Sequence, residues 1–361
     1  MLKHENISIF VPNNGCPHMC SFCNQFQITG KKRQPGIKDI DDAIKNSYKN
    51  KYKNEDNSQD KHENKHENGN KNIIKPQKIF RELAFFGGSF TAIKRDYAES
   101  LLSHAYCYIK SGDIDGIRIS TRPDCINEEI LKFLKSYGVT SIELGAQSMV
   151  DKVLFYNNRG HTSGDVRHSS GLIKNYGFEL GLQMMTGLYG SEEKDDLFTA
   201  NEFIKLQPDT VRIYPTLIMK GTKLHELFNL GKYIPIDINK AVEICAKILN
   251  LFNFAGIKVI RLGLHSSDGI SKNLIAGPWH PAFKELCESK IIVDKCIKTI
   301  KELGYEKKPI KILVSPKSVS KIIGQKRSGI ERIKKLCSEV LIEEDYKIKD
   351  LNFLIKEHKQ T

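Results

Sequence analysis

The stretch NNGCPHMCSFCNQ, residues 13–25, sets Cys16, Cys20 and Cys23 at the spacing CxxxCxxC, directly after the apolar, β-branched run ISIFV (7–11). The run reads as a strand, so the cysteines lie on a loop at a strand's C-terminal end. A closed structural metal site takes four protein ligands; three leave one position for something reactive. Three thiolates suit an iron–sulfur cluster in which one iron has no protein ligand. Zinc is the alternative, with His18 as fourth ligand, although His18 sits between Cys16 and Cys20, where a four-ligand set is awkward to close. A redox dithiol would use Cys20 and Cys23 alone and leave Cys16 unexplained.

Working outward, strand-like runs alternate with amphipathic helical patterns: ELAFF (82–86), GIRIS (116–120), SIEL (141–144), ELGLQMM (179–185), TVRIY (210–214) and IKVIRLGL (257–264). That alternation implies an α/β fold with a parallel sheet and helices outside, a partial (β/α) barrel or, alternatively, a doubly wound open sheet. Glycines and unusual polar residues cluster just after these runs, in GGSFT, STRPD, ELGAQS, QMMTGL and YPT. In parallel α/β barrels the site is built at those strand ends.

The chain has 361 residues and a formal net charge of +13, which favours a polyanionic partner such as nucleic acid. Its nine cysteines are an odd number, and the N-terminus lacks a secretion pattern. We therefore expect a cytoplasmic protein with no disulfide framework and no membrane association. Cys107, Cys125, Cys245, Cys287, Cys296 and Cys337 read as buried free thiols. Residues 45–75 are a polar, low-complexity tract with KHEN in tandem, read as a disordered insertion; His62 and His66 belong to its solvated surface.

The cysteine loop, including Phe22 before the third cysteine, resembles the signature of the radical S-adenosylmethionine (SAM) superfamily. The resemblance implies a 4Fe–4S cluster on Cys16, Cys20 and Cys23. Its open iron would hold the SAM amino and carboxylate groups, and reductive cleavage would give methionine and a 5′-deoxyadenosyl radical. FFGGSFT (85–91) is similar to the family's glycine-rich motif, in which Gly87 and Gly88 would let backbone approach the SAM ammonium. The remaining motifs are closest to the branch holding oxygen-independent coproporphyrinogen oxidase and the elongator catalytic subunit. They imply ribose contacts for Ser120, in a position where the oxidase has glutamate, shared with Arg122 or Asp124. LGAQS carries a ribose role to Gln147, and NRGHT (158–162) makes Arg159 the partner of the SAM carboxylate, a role that suits a guanidinium fork. QMMTGL places Gln183 where the pattern has aspartate, and RIYPTLIMKGTKL resembles the stretch after strand six. Read alone, Arg159 could be a surface ion-pair residue, Gln147 a helix cap and Glu143 a buried ion-pair partner.

Beyond the barrel, IAGPWHPAFKELCES resembles the extension of elongator-like proteins; Trp279 reads as a wedge and His280 as a turn residue, with His265 nearby. IIGQKRSGIERI (322–333) resembles the core of the KH nucleic-acid-binding fold, with Arg327 where the second glycine belongs. Lys321, Gly324, Gln325, Lys326 and Arg327 are the candidate nucleic-acid contacts, with Lys317, Arg332, Lys334 and Lys335 around them.

The expected organisation is a radical SAM partial barrel over 1–265, an elongator-like extension over 266–308 and a KH-like α/β domain with tail over 309–361. The expected function is radical modification of a base in RNA, with tRNA as the substrate. The expected partners are tRNA, a flavodoxin- or ferredoxin-type electron donor and a possible separate subunit, since the chain leaves no room for the elongator's acetyltransferase domain. The rivals are a tetrapyrrole-type small-molecule oxidase and a non-enzymatic metal-containing RNA-binding protein. No general base is nominated.

Overall fold

The computed structural model describes residues 3–12, 14–16, 19–25, 33–59, 79–264 and 268–358. His18, His62, His66 and His265, and residues 60–75 of the expected insertion, lie outside them.

In chain order the elements are β1 (Lys3–Val11), α1 (Ile37–Gln59), β2 (Ile79–Gly87), α2 (Arg95–Lys110), β3 (Gly116–Thr121), α3 (Glu128–Ser136), β4 (Val139–Gln147), α4 (Asp151–Tyr156) and α5 (Ser163–Asn175). Then follow β5 (Glu179–Thr186), α6 (Glu193–Leu206), β6 (Thr210–Pro215), β7 (Ile218–Met219), α7 (Lys223–Asn229), α8 (Ile238–Phe254), β8 (Lys258–Leu262), α9 (Asp268–Asn273), β9 (Leu274–Ala276) and α10 (Phe283–Glu302). The last are β10 (Pro309–Val314), α11 (Val319–Ile323), α12 (Ser328–Lys334), β11 (Glu339–Glu344) and β12 (Phe353–Glu357).

Seven strands form one sheet in the order β1-β2-β3-β4-β5-β6-β8. The pairs β1–β2, β2–β3, β3–β4 and β6–β8 are parallel. The order never reverses, whereas a doubly wound sheet has a switch point. The fold is therefore the partial (β/α) barrel, with a separate three-stranded sheet, β11-β10-β12, near the C-terminus.

The chain divides into two compact units. The first comprises residues 1–146, 158–182 and 267–273. Its strands bury Ile7, Ile9, Val11, Leu83, Phe85, Ile117, Ile119, Ile142 and Leu144 on one face. The opposite face carries buried polar side chains, among them Glu82, Arg118, Ser120, Ser141 and Glu143. The register sets Arg118 beside Ser141 and Ser120 beside Glu143. Arg118, 1% exposed, donates from Nε to Glu82 at 2.9 Å and from Nη2 to Glu179 at 2.8 Å, and lies 3.4 Å from Glu143. A buried guanidinium is tolerated because carboxylates surround it. Helix α1 runs on through Gln59, so residues 45–59 of the tract expected to be disordered are helical. Ile40 and Ile44 bury its start; once nucleated, a helix extends cheaply through residues that include no glycine or proline.

The second unit comprises residues 147–157, 183–266 and 274–361. In it α10 supplies Ile292, Val293, Cys296 and Ile300 to a core shared with Ile310, Ile312 and Val314 of β10, Ile322, Ile333 and Ile355. The boundary expected at 308/309 thus cuts through one hydrophobic core. The reason lies in α10, whose apolar face has the strands and helices of the KH-like segment as its partner.

Candidate SAM and cluster site

Strand β1 ends at Val11, and the chain turns at once onto the end of β2. Gly88 N donates to Val11 O at 2.8 Å and Ser89 N to Asn14 O at 2.9 Å. The seat accepts only glycine. A Cβ on Gly88 would stand 1.9 Å from Asn14 O, and Gly87, at φ 121°, lies against Val11 O. The close approach these glycines permit is therefore to the cysteine loop itself; the Gly87 carbonyl accepts the Gln25 side-chain amide. From the other side Asn158 Nδ2 donates to Met19 O at 2.9 Å. A tight turn, Cys23 N to Cys20 O at 3.1 Å, closes the loop. It leaves Cys16 exposed, Cys20 buried, and Cys23 and Phe22 half-buried.

Arginines converge on these sulfurs. Arg159, 6% exposed, donates from Nη1 to Cys20 Sγ at 2.9 Å and from Nη2 to the Gly145 carbonyl, leaving Nε without a partner. Arg122 is buried and pairs with Asp124 through Nε (2.9 Å) and Nη2 (2.8 Å), leaving Nη1 unsatisfied. Its backbone N–H donates to Ser89 Oγ, which also meets Thr121 Oγ1 at 2.8 Å. Ser120 Oγ is buried without a partner. His161, two residues after Arg159, is 5% exposed. Its Nε2 faces the Ala146 carbonyl at 3.2 Å, so Nδ1 is the unprotonated nitrogen, and it too is unsatisfied. Burial first, and then the Arg159 charge, press the His161 pKa down to about 4, so it is neutral at physiological pH.

This set fits a cationic cluster with a polar ligand. Burial, reinforced by the neighbouring sulfurs of Cys20 and Cys16, pushes the Cys23 thiol up to about 12, and burial followed by Cys20 raises Cys16. A bound cation is what would turn such thiols into thiolate ligands. Unsatisfied buried donors cost free energy unless something meets them. Ser120 Oγ, Arg122 Nη1 and Arg159 Nε are such groups, and they match the hydroxyls and carboxylate of SAM.

The sequence motifs named Arg159 but not the residues that seat the loop, Asn14, Ser89 and Asn158, nor His161, although the histidine was visible within NRGHT. Glu143 is a buried ion-pair partner. Gln147 and Gln183 stand in the second unit. Gln147 closes β4 at φ 69° with a buried, unsatisfied Oε1, and Gln183 is half-buried on β5.

Also in the second unit, α11 and α12 meet across Gly324–Arg327. Gly324 has φ 72°, and a Cβ there would lie 2.7 Å from Gly329 N. Lys326 (φ 50°) and Arg327 (φ 64°) take left-handed backbone and are exposed, with Gln325 half-buried beside them. Arg327 thus adopts the conformation that the expected glycine would supply. Lys321 is removed from this charge cluster: it pairs with Asp350 at 2.8 Å and Glu288 at 3.3 Å, its side chain 12% exposed. Arg332 pairs with Asp294 at 2.8 Å.

The family model "Radical SAM superfamily" matches residues 10–201, and "Radical_SAM C-terminal domain" matches 208–292. The chain belongs to the radical SAM superfamily, whose members use a 4Fe–4S cluster and SAM. Among curated proteins it is similar to Elongator complex protein 3 of Saccharomyces cerevisiae, 31% identical over 190 residues, covering 47% of this chain and 34% of that protein. It is also similar to tRNA uridine(34) acetyltransferase of Methanocaldococcus jannaschii, 28% identical over 183 residues, covering 45% and 34%. The chain thus spans about a third of the length of these relatives. A solved structure of the archaeal Methanocaldococcus infernus Elp3 with an N-terminal deletion superposes with TM-score 0.58 at 18% identity, covering 84% of this chain and 64% of that one, a likeness of fold.

Proposed function

We propose that this radical SAM enzyme acts on RNA, with tRNA as its substrate, by radical C–H activation at a base. The observation that carries the RNA reading is the Gln325–Lys326–Arg327 turn between α11 and α12, with Lys326 and Arg327 exposed, in a chain of net charge +13. Such a turn suits a phosphate backbone. The named activity of the relative from Methanocaldococcus jannaschii supports the same reading.

Cys16, Cys20 and Cys23 hold the cluster in this proposal, and Arg159 holds the SAM carboxylate. Ser120 and Arg122 meet the ribose and neighbouring polar atoms, and Phe22, Gly87 and Gly88 shape the loop's wall. When bound, the cluster and SAM supply a 5′-deoxyadenosyl radical. The protein's own part is to orient SAM with buried donors and to exclude water. His161, neutral, presents an acceptor Nδ1 and adds no charge to the arginines beside it. The reading further includes a cytoplasmic location, a flavodoxin- or ferredoxin-type electron donor and a separate partner subunit. Among the described residues no helix is long and apolar enough to cross a membrane.

The test is tRNA retention against salt. Affinity should fall linearly on a log–log plot of binding against salt, and Lys326→Ala with Arg327→Ala should weaken binding and flatten the slope by about 1.4, about 0.7 per lost phosphate contact. A chain without salt-sensitive tRNA affinity contradicts the proposal.

A further inference from the structure

A cavity of about 250 Å³ lies in the second unit, where the exit of β8 meets the start of α10. The two segments approach closely: a Cβ on Gly263, the residue after β8, would stand 3.0 Å from Phe283 Cβ. The apolar lining includes Ile260, Leu262 and Phe283, and the polar lining is Arg261, His280 and Lys284. Among the described residues no acid lines the cavity. The radical chemistry leaves all three polar residues unused.

Each of the three is a donor that lacks a close counter-charge. Arg261 is half-buried, and among the described residues it has neither a hydrogen bond nor a carboxylate partner. Other strand-borne arginines have carboxylates: Arg81 pairs with Glu5, and Arg118 with Glu82, Glu143 and Glu179. Burial presses the Arg261 pKa below the ordinary arginine value, with Tyr214 opposing and Arg212 adding to the shift. The guanidinium keeps its charge regardless. His280 accepts the Ala282 backbone N–H on Nδ1 at 3.0 Å, which puts the ring proton on Nε2 as a donor. Lys284 is 3.9 Å from Glu288, whose shorter ion pair is with Lys321 at 3.3 Å. A charge drawn from water without a partner costs free energy until an anion meets it. A guanidinium fork, a ring N–H and an ammonium around one cavity suit a tetrahedral phosphoryl group, whose oxygens point in different directions. The apolar lining then faces the organic part of the ligand.

We propose that Arg261, His280 and Lys284 form a binding site for a phosphoryl group. The proposal does not rest on the RNA reading: the group belongs either to RNA or to a small phosphate-bearing molecule, and the test tells these apart. The reconstituted full-length protein and its Arg261→Gln, Lys284→Gln and Lys295→Gln variants are melted in rising inorganic phosphate and in chloride of equal ionic strength. Lys295, on α10 but outside the cavity, is the control. The general salting effect of phosphate acts on all four proteins alike, so the site's own part is the difference between them. Wild type and Lys295→Gln should share a saturable protection by phosphate. Arg261→Gln and Lys284→Gln should need about tenfold more phosphate to reach half of it. Equal protection in all four proteins overturns the site, and so does a loss in Lys295→Gln as large as in the other two. Titration with tRNA then assigns the source. Binding weakened in Arg261→Gln and Lys284→Gln but kept in Lys295→Gln places an RNA phosphate in the cavity. Unchanged tRNA binding beside lost phosphate protection assigns the site to a small phosphate-bearing molecule. The same protection pattern in a wild type without tRNA affinity contradicts the RNA reading and leaves the phosphoryl site standing.

Discussion

Arg159 joins the two halves of the site at the scale of a single side chain. One guanidinium nitrogen reaches the sulfur of Cys20, another the carbonyl of Gly145, and Nε is left for a ligand. Lysine keeps the charge but loses the fork. Arg159→Lys should therefore weaken SAM binding about thirtyfold, about 2 kcal/mol for a lost charge-assisted bond, with iron content unchanged; calorimetric titration and iron analysis together check this. The cysteine triad and Arg159 could be picked out as candidates because each lies in a short local motif. The ion pairs that withdraw Lys321 could not, because Glu288 and Asp350 lie 33 and 29 positions away in sequence. Ser120 and Arg122 were legible only as a strand end. Their unsatisfied atoms are properties of the folded chain.

At the scale of elements, the cysteine loop is held by the end of β2. Gly88→Ala should displace the loop from Asn14 and lower the iron retained per chain after reconstitution, with a stability loss of about 1–3 kcal/mol. Gly171→Ala in α5 is the control: nothing lies within 4 Å, so the helix should gain about 0.5–1 kcal/mol in urea unfolding. The strands of the large sheet were readable because their apolar runs alternate with helices. Their ends shifted by a few residues: the run at 7–11 belongs to β1 starting at Lys3, and that at 141–144 to β4 starting at Val139. The short β7 and β9 and the terminal β12 escaped, since two or three residues carry no period and β12 is fixed by its antiparallel pairing with β10. The helical run of α1 into the polar tract escaped for the opposite reason, as composition speaks to burial rather than to helix propagation.

At the scale of the whole molecule, the polar face of the large sheet sets an acid limit. Burial works to raise the Glu82 pKa, but His4, Arg118, Ser141 and Thr140 outweigh it and hold the carboxyl at about 2, against an ordinary value of 4.5. A depressed carboxylate stabilises the fold above the unfolded pKa and ceases to do so as pH falls through the folded one. Glu82 should thus contribute about 3 kcal/mol at neutral pH, fading between pH 4.5 and about 2. Urea unfolding at pH 7 and pH 3 should show Glu82→Gln destabilised at pH 7 and the difference from wild type narrowed at pH 3; a constant difference contradicts this.

The central claim is that one chain couples radical chemistry at the cysteine loop to RNA. The most direct measurement is 5′-deoxyadenosine formation by the anaerobically reconstituted, reduced protein with SAM, with and without total tRNA. The account predicts formation that tRNA strongly raises and that Cys20→Ala abolishes. Formation indifferent to tRNA, or none from a protein with its cluster intact, would contradict it.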